Sequence, residues 1–190
     1  MMSKLNYLSI DVETGGLGLD KSLLEISLIV AEEHFEETGN RLTLRVKPDD
    51  GNYVVTAQGL SVNKINLVEH DEVAFPYKNV KPILYEFLKS HSQSGAEKLV
   101  PVGKNVYFDI THLWDKLISR GSWDLFCSYQ TLEISSAWRF LESIGKVPRL
   151  PKTSLSNLCD YLGIPVVDLH SAEGDALTNL KVMKGLVKLV

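Results

Sequence analysis

Short runs of apolar residues give way along the chain to wider-spaced apolar stripes, and the two periods divide it into elements. Tyr7-Leu8-Ser9-Ile10-Asp11-Val12 is a short, mostly apolar strand pattern stopped by Thr14-Gly15-Gly16, and Leu23 to Ala31 is a longer strand rich in Leu and β-branched residues. Leu42-Thr43-Leu44-Arg45-Val46 alternates apolar and polar positions and ends at the turn sequence Pro48-Asp49-Asp50-Gly51. Three strands so close in sequence predict an antiparallel meander. From Gly51 to Lys81 no period is sustained, with a helical turn indicated only after Thr56 and again near Leu67. A stretch that long without structure of its own is uncommon unless it serves a function.

After this stretch the period becomes helical. Pro82, read as a first helical position, precedes the stripe Ile83, Leu84, Phe87 and Leu88. Leu99-Val100-Pro101-Val102-Gly103 predicts a short buried strand. Ile110, Leu113, Trp114, Leu117 and Ile118 then predict a helix with Asp109 at its N-terminus and Gly121 at its end. Leu125-Phe126-Cys127 reads as one more short strand. Helices follow from Leu132 to Ile144, stopped by Gly145, and from Ser154 to Leu162, capped by Ser154 and stopped by Gly163. The last helix carries Leu177, Leu180, Met183, Leu186 or Val187, and Val190. A meander followed by strands interleaved with amphipathic helices predicts an α/β fold, a mixed sheet with helices on its faces.

Composition narrows this picture. A chain of 190 residues, 44% hydrophobic, fits one domain over residues 1–190. Such a domain buries roughly 70% of its unfolded surface and needs no metal or disulfide to fold, so a bound metal would serve chemistry. A formal charge of -4 argues against a polybasic protein held to nucleic acid by bulk charge, while leaving a local basic groove open. Cys127 and Cys159 lie far apart with no metal-ligand spacing, which fits a reducing cytosol. No apolar run approaches the roughly 18 residues of a membrane helix. Met1 to Ile10 lacks the basic and hydrophobic regions of a signal peptide, so a soluble cytoplasmic protein without a membrane partner is expected.

Three places carry candidate chemistry. Asp11 and Glu13 end the first strand two residues apart, on one face, so both carboxylates project together and repel unless a cation joins them. Hard Mg²⁺ or Mn²⁺ favours such oxygens. Asp109, in Asn105-Val106-Tyr107-Phe108-Asp109, adds a carboxylate where a strand gives way to a helix. His170 and Asp175 add an imidazole and a fourth carboxylate at the start of the last helix, and a histidine can take a proton from water. Each also has an ordinary explanation taken alone: a solvated strand end, a helix N-cap, a loop histidine. His34, His70, His91 and His112 have no comparable neighbourhood and are read as non-catalytic.

The ordered set resembles the DEDDh 3′-to-5′ exonuclease superfamily, which includes the proofreading subunits of bacterial replicative polymerases and the oligoribonucleases. IDVETGGL (10–17) is similar to its first motif, VGKNVYFD (102–109) to its second and HSAEGDA (170–176) to its third, so the resemblance spans almost the whole chain. AQGLSVNKINL (57–67) is similar to the family's variable segment after the third strand. Lys104 stands where many members have His before Asn, Tyr129-Gln130-Thr131 replaces a frequent Asp-Thr pair, and Ser171 follows the histidine where Arg is common. These departures lie around the pocket and bear on substrate choice.

The resemblance implies a ribonuclease-H-like fold with a five-stranded mixed sheet. It also implies a two-metal site for Mg²⁺ or Mn²⁺. Asp11, Glu13 and Asp175 would hold one ion, Asp11 would bridge to the second, and Asp109 would support that second ion, largely through water. The ions, roughly 4 Å apart, would activate a water and stabilise charge on the leaving 3′-oxygen, with His170 as general base. The implied reaction releases nucleoside 5′-monophosphates from the 3′ ends of single-stranded nucleic acid, with DNA ranked ahead of RNA. Tyr129 to Ser136 faintly resembles oligoribonuclease, which keeps an exoribonuclease open, as is a non-catalytic nucleic-acid-binding module on the same fold. Among substrate contacts, the backbone at Thr14 and Gly15 would meet the terminal sugar, Leu17 and Phe108 would flank the last bases, and Asn105 would shape the pocket. Arg139, Lys146, Arg149 and Lys152, near Trp138, either track phosphates or are solvated surface cations. A polymerase or another replication or repair protein is the expected kind of partner.

Overall fold

The structure, a computed structural model, describes residues 6–92, 98–166 and 170–190. Residues 1–5, part of the N-terminal stretch considered for export, lie outside them. Strands β1 (Tyr7–Thr14), β2 (Leu23–Ala31) and β3 (Glu37–Lys47) form the expected antiparallel meander, with Asp11 opposite Ser27 and Glu13 opposite Glu25. Helices α1 (Ala57–Asn63) and α2 (Leu67–Val73) follow, then β4 (Phe75–Pro76) and α3 (Tyr77–His91). Strand β5 (Val100–Gly103) leads into α4 (Val106–Lys116) and α5 (Arg120–Phe126). The chain ends with β6 (Leu132–Glu133), α6 (Ile134–Ser143), α7 (Leu155–Leu162) and α8 (Ala172–Val187).

The sheet has the order β4-β3-β2-β1-β5-β6, six strands among the described residues where five were expected. The two edge strands have two residues each, too short to show a period in sequence. Strand β5 runs parallel to β1, as does β6 to β5. Leu125-Phe126-Cys127 is not a strand: Leu125 and Phe126 end α5, and only Cys127 bridges to the sheet, at Leu99. Three apolar residues in a row cannot distinguish a strand from the buried side of a helix end. Nor does Gly121 stop a helix. The preceding helix ends at Lys116, and Gly121 lies in the first turn of α5 after the Ser119 cap. Helix α3 begins five residues before Pro82, its Lys78 N–H accepted by Asp49 Oδ1. Pro82 therefore forgoes one internal hydrogen bond rather than opening the helix.

Alternation along β1 sorts its side chains onto two faces. Leu8, Ile10 and Val12 enter a core with Val106, Ile110 and Leu113 of α4 and with Val80, Leu84 and Leu88 of α3. The opposite core is built by α6, α7 and α8 around Trp138, Leu180 and Val182, with Val102 of β5. Ser9, Asp11 and Glu13 turn towards this second face, where Ser9 Oγ donates to the Ala176 carbonyl of α8 at 2.7 Å. Both carboxylates of β1 thus face α8 because of strand parity alone. No helix among the described residues is long and apolar enough to cross a membrane.

Candidate active site

Strand β1 pairs with β5 only as far as Ser9 opposite Val102, so its C-terminal half is unpaired on that side. Into this opening three carboxylates converge: ligand oxygens of Asp11, Glu13 and Asp175 lie within 4.8 Å of one another. Asp175 sits in the first turn of α8, whose N-terminus is capped by Ser171 Oγ on the Gly174 N–H at 3.1 Å. The fourth carboxylate arrives from the other face of the sheet. Asp109, 4% exposed in the first turn of α4, accepts the free Val12 N–H at 3.0 Å through Oδ1. It is not the N-cap of its helix. That position belongs to Asn105, in the left-handed conformation with φ 57°.

Burial is the largest influence on each of these groups and raises them all. Burial, reinforced by Asp109, Asp175, Glu13 and Glu25, holds Asp11 well above the usual carboxylate range. Burial and the charges of Asp175 and Glu25 push Glu13 up to about 7, against a hydrogen bond from Asn63. Asp109 is raised by burial despite the Val12 N–H. Asp175 is raised by burial, with His170 and Lys104 pulling it down. Glu25 is likewise raised by burial, while the Ala172 N–H at the start of α8 hydrogen-bonds it. Asp175 Oδ1 is also buried with no hydrogen-bond partner. A divalent cation would satisfy that oxygen and offset the repulsion, and oxygen-only donors suit Mg²⁺ or Mn²⁺.

Beside the carboxylates opens a cleft of about 420 Å³. Glu13 and Thr14 form its floor, and Leu17, 88% exposed, stands at its rim. Gln58, Val62 and Asn63 of α1 form one wall, and Phe108 of α4 the other. Helix α1 is locked to the end of β1. Thr56 N and Oγ1 both donate to the Gly15 carbonyl, at 2.7 and 3.0 Å, and Asn63 Nδ2 donates to the Thr14 carbonyl at 3.0 Å. A side chain on Gly59 would place Cβ 2.4 Å from that Gly15 carbonyl, so only glycine permits this approach.

Not every expected contact reaches the cleft. Leu17, Phe108 and Thr14 line it, whereas Gly15 is buried, with its N–H donating to the Ser22 carbonyl at 2.8 Å. Asn105 lines a separate depression on the other flank of α4. His170 is exposed on the turn before α8, with φ 73°. His70, His91 and His112 are turned to the backbone carbonyls of Val46, Phe87 and Phe108. In the basic run, Arg139 and Arg149 both face Glu142, at 2.5 and 3.9 Å, which offsets charge that a phosphate track would use. Sequence reasoning missed Gln58, Val62 and Asn63. The available signal was Gly59, a poor helix former inside a seven-residue helix.

The model of the RNase_T exonuclease family matches residues 8–183. No curated protein matches in sequence. Among solved structures, exonuclease I from Methylocaldum szegediense has a TM-score of 0.76 at 16% identity, covering 97% of this chain and 40% of its own. E. coli exonuclease I in complex with a dT13 oligonucleotide has a TM-score of 0.74 at 15% identity, covering 95% of this chain and 40% of its own. Cell-death related nuclease 4 has a TM-score of 0.72 at 13% identity, covering 96% and 64%. These likenesses concern the fold, and the chain spans about two fifths of the exonuclease I chains it matches. With the match running from β1 into α8, and with the ordered Asp11, Glu13, Asp109, His170 and Asp175, the chain belongs to the RNase_T exonuclease family and is of the DEDDh type.

Proposed function

We propose that this protein is a metal-dependent 3′-to-5′ exonuclease of single-stranded nucleic acid, DNA ahead of RNA, acting as a cytosolic single domain over residues 1–190. The observation that carries the reading is the convergence of Asp11, Glu13 and Asp175 within 4.8 Å beside a cleft lined by Leu17, Val62 and Phe108 among polar residues. The cleft takes the 3′-terminal nucleotide, with Phe108, Val62 and Leu17 against the base. Such contacts accept any base. Thr14 meets the sugar. Asp11, Glu13 and Asp175 would hold one divalent cation, and Asp109 a second with Asp11. When bound, the cations supply activation of the attacking water and neutralisation of charge on the leaving 3′-oxygen.

The protein's own groups do the remainder. His170 takes a proton from the attacking water as it adds to phosphorus. The P–O3′ bond breaks, and a nucleoside 5′-monophosphate leaves. His170 is open to solvent on the turn ahead of α8, five residues before Asp175 in the first turn of that helix, which supports its role as the base. DNA is placed ahead of RNA because the exonuclease I relative is solved with a dT13 oligonucleotide. A polymerase or another replication or repair protein is the partner class this activity serves.

The test is digestion of 5′-labelled single-stranded DNA and matched RNA with Mg²⁺, Mn²⁺ or EDTA, by wild type and His170→Ala. A metal-dependent ladder shortening from the 3′ end, strongly reduced in the variant, is expected. Folded protein that binds the strands and cuts neither with any metal would instead be a binding module.

A further inference from the structure

Lys104 is the residue that the metal site and the terminal-nucleotide cleft leave unexplained. It follows β5 directly. Ser9 opposite Val102 is the last pair of β1 with β5, and Lys104 stands two residues beyond it, at the opening beside the unpaired half of β1. Val102 packs on the α8 face, and Lys104 follows it in the bend between β5 and α4, near enough for its charge to act on Asp175. It is half-buried, yet makes no ion pair among the described residues. An ammonium in this position is normally paired, because partial burial weakens its hydration.

Lys104 lines a depression of about 530 Å³ with Asn105, Tyr107, Thr131 and Glu133. Both this depression, through Val106 and Tyr107, and the terminal-nucleotide cleft, through Phe108, border the first turn of α4. Glu133 is the acid in the depression, and both its oxygens are engaged: Oε2 accepts the Val106 N–H at 3.1 Å and Oε1 the Ser135 N–H at 3.0 Å. Its charge is therefore held by the starts of α4 and α6 and is not spent on Lys104. A strand whose last nucleotide fills the cleft and which runs past the start of α4 meets the depression next.

We infer that Lys104 binds a backbone phosphate of the nucleic acid strand upstream of the scissile bond, with Tyr107 and Asn105 beside it as the walls of that subsite. The inference rests on the exonuclease reading for the direction of the strand. It makes Lys104 a determinant of affinity for longer strands.

The test compares wild type, Lys104→Ala and Lys104→Arg on a 5′-labelled oligonucleotide and on the p-nitrophenyl ester of thymidine 5′-phosphate, which has no upstream phosphate. With the oligonucleotide, Lys104→Ala should raise KM roughly five- to tenfold at low salt. It should also flatten the slope of log KM against log salt by about 0.7, the value for one phosphate contact on a single strand. Lys104→Arg should restore both, and the penalty should shrink on the ester. A wild-type KM and salt slope in Lys104→Ala would overturn the inference. So would a loss confined to kcat with the slope kept, which would mark a residue that only steadies Asp175. Should the wild type cut neither substrate, the exonuclease reading fails by itself, and anisotropy of a labelled oligonucleotide decides the matter of Lys104. Equal affinity and equal salt slope in wild type and Lys104→Ala would then sink it.

Discussion

Asp109 and His170 call for different substitutions, because one is buried and hydrogen-bonded and the other exposed. Asp109 is buried and accepts the Val12 N–H, so its removal has a structural cost as well as a chemical one. Asp109→Ala leaves that buried donor unpaired and should destabilise by about 1–3 kcal/mol. Asp109→Asn keeps an oxygen for the N–H while deleting the charge. It should fold at least as stably as wild type in EDTA, since a repelling carboxylate has gone, yet lose about 100-fold or more of its activity. Equal activity in Asp109→Asn and wild type, read by oligonucleotide digestion beside urea denaturation, would remove Asp109 from the metal site. His170 is exposed, so His170→Ala should keep its denaturation midpoint and lose roughly 10²–10⁴ in kcat, the usual contribution of a positioned base.

At the scale of elements, α1 is the part that positions the cleft, and Gly59 is its contact with β1. Two effects of Gly59→Ala oppose each other. Alanine favours the helix by up to about 1 kcal/mol. Its Cβ would also stand 2.4 Å from the Gly15 carbonyl, a backbone atom that cannot rotate away. Overpacking of this kind costs about 1–3 kcal/mol, so the collision should win and α1 should shift outwards. KM for an oligonucleotide should rise more than kcat falls, because α1 lines the cleft without carrying a metal-site carboxylate. A midpoint and KM unchanged from wild type would show that α1 is not held where the cleft needs it. The same helix shows where the sequence is silent. Asp11 and Glu13 are legible because a strand repeats every two residues, and Asp175 because a histidine and a helix start accompany it. A helix of seven residues has under two full turns, so Gln58, Val62 and Asn63 present no stripe to read. Strands β4 and β6 are shorter still, and Gly121 lies in a first helical turn where glycine carries no stop signal.

For the molecule as a whole, the crowding of Asp11, Glu13, Glu25, Asp109 and Asp175 makes stability depend on pH and metal together. All five have folded pKa values above their ordinary ones, and Glu13 goes from 4.5 to about 7. Between the unfolded and folded values the native state holds the extra protons, so native stability must fall as pH rises through that window. For Glu13 the window runs from 4.5 to about 7, and the loss is on the order of 3 kcal/mol once it is crossed. The lowered carboxylates Asp20, Asp50 and Asp71 act in the opposite sense, but below their ordinary value of 3.8 and on the exposed surface. His70, held below 6.5 by burial, also opposes the fall, as one group against five raised carboxylates. In EDTA, therefore, Tm should be lower at about pH 7.5 than at about pH 5.5. A cation binds the charged carboxylates, so Mn²⁺ should raise Tm more at the higher pH and narrow the gap. Glu13→Gln removes one repelling charge, so it should raise Tm in EDTA at the higher pH and blunt the response to Mn²⁺. A metal-free Tm that holds level or climbs across this range would mean that the carboxylates do not repel as their packing requires. A Mn²⁺ response independent of pH would mean that the ion is bound elsewhere.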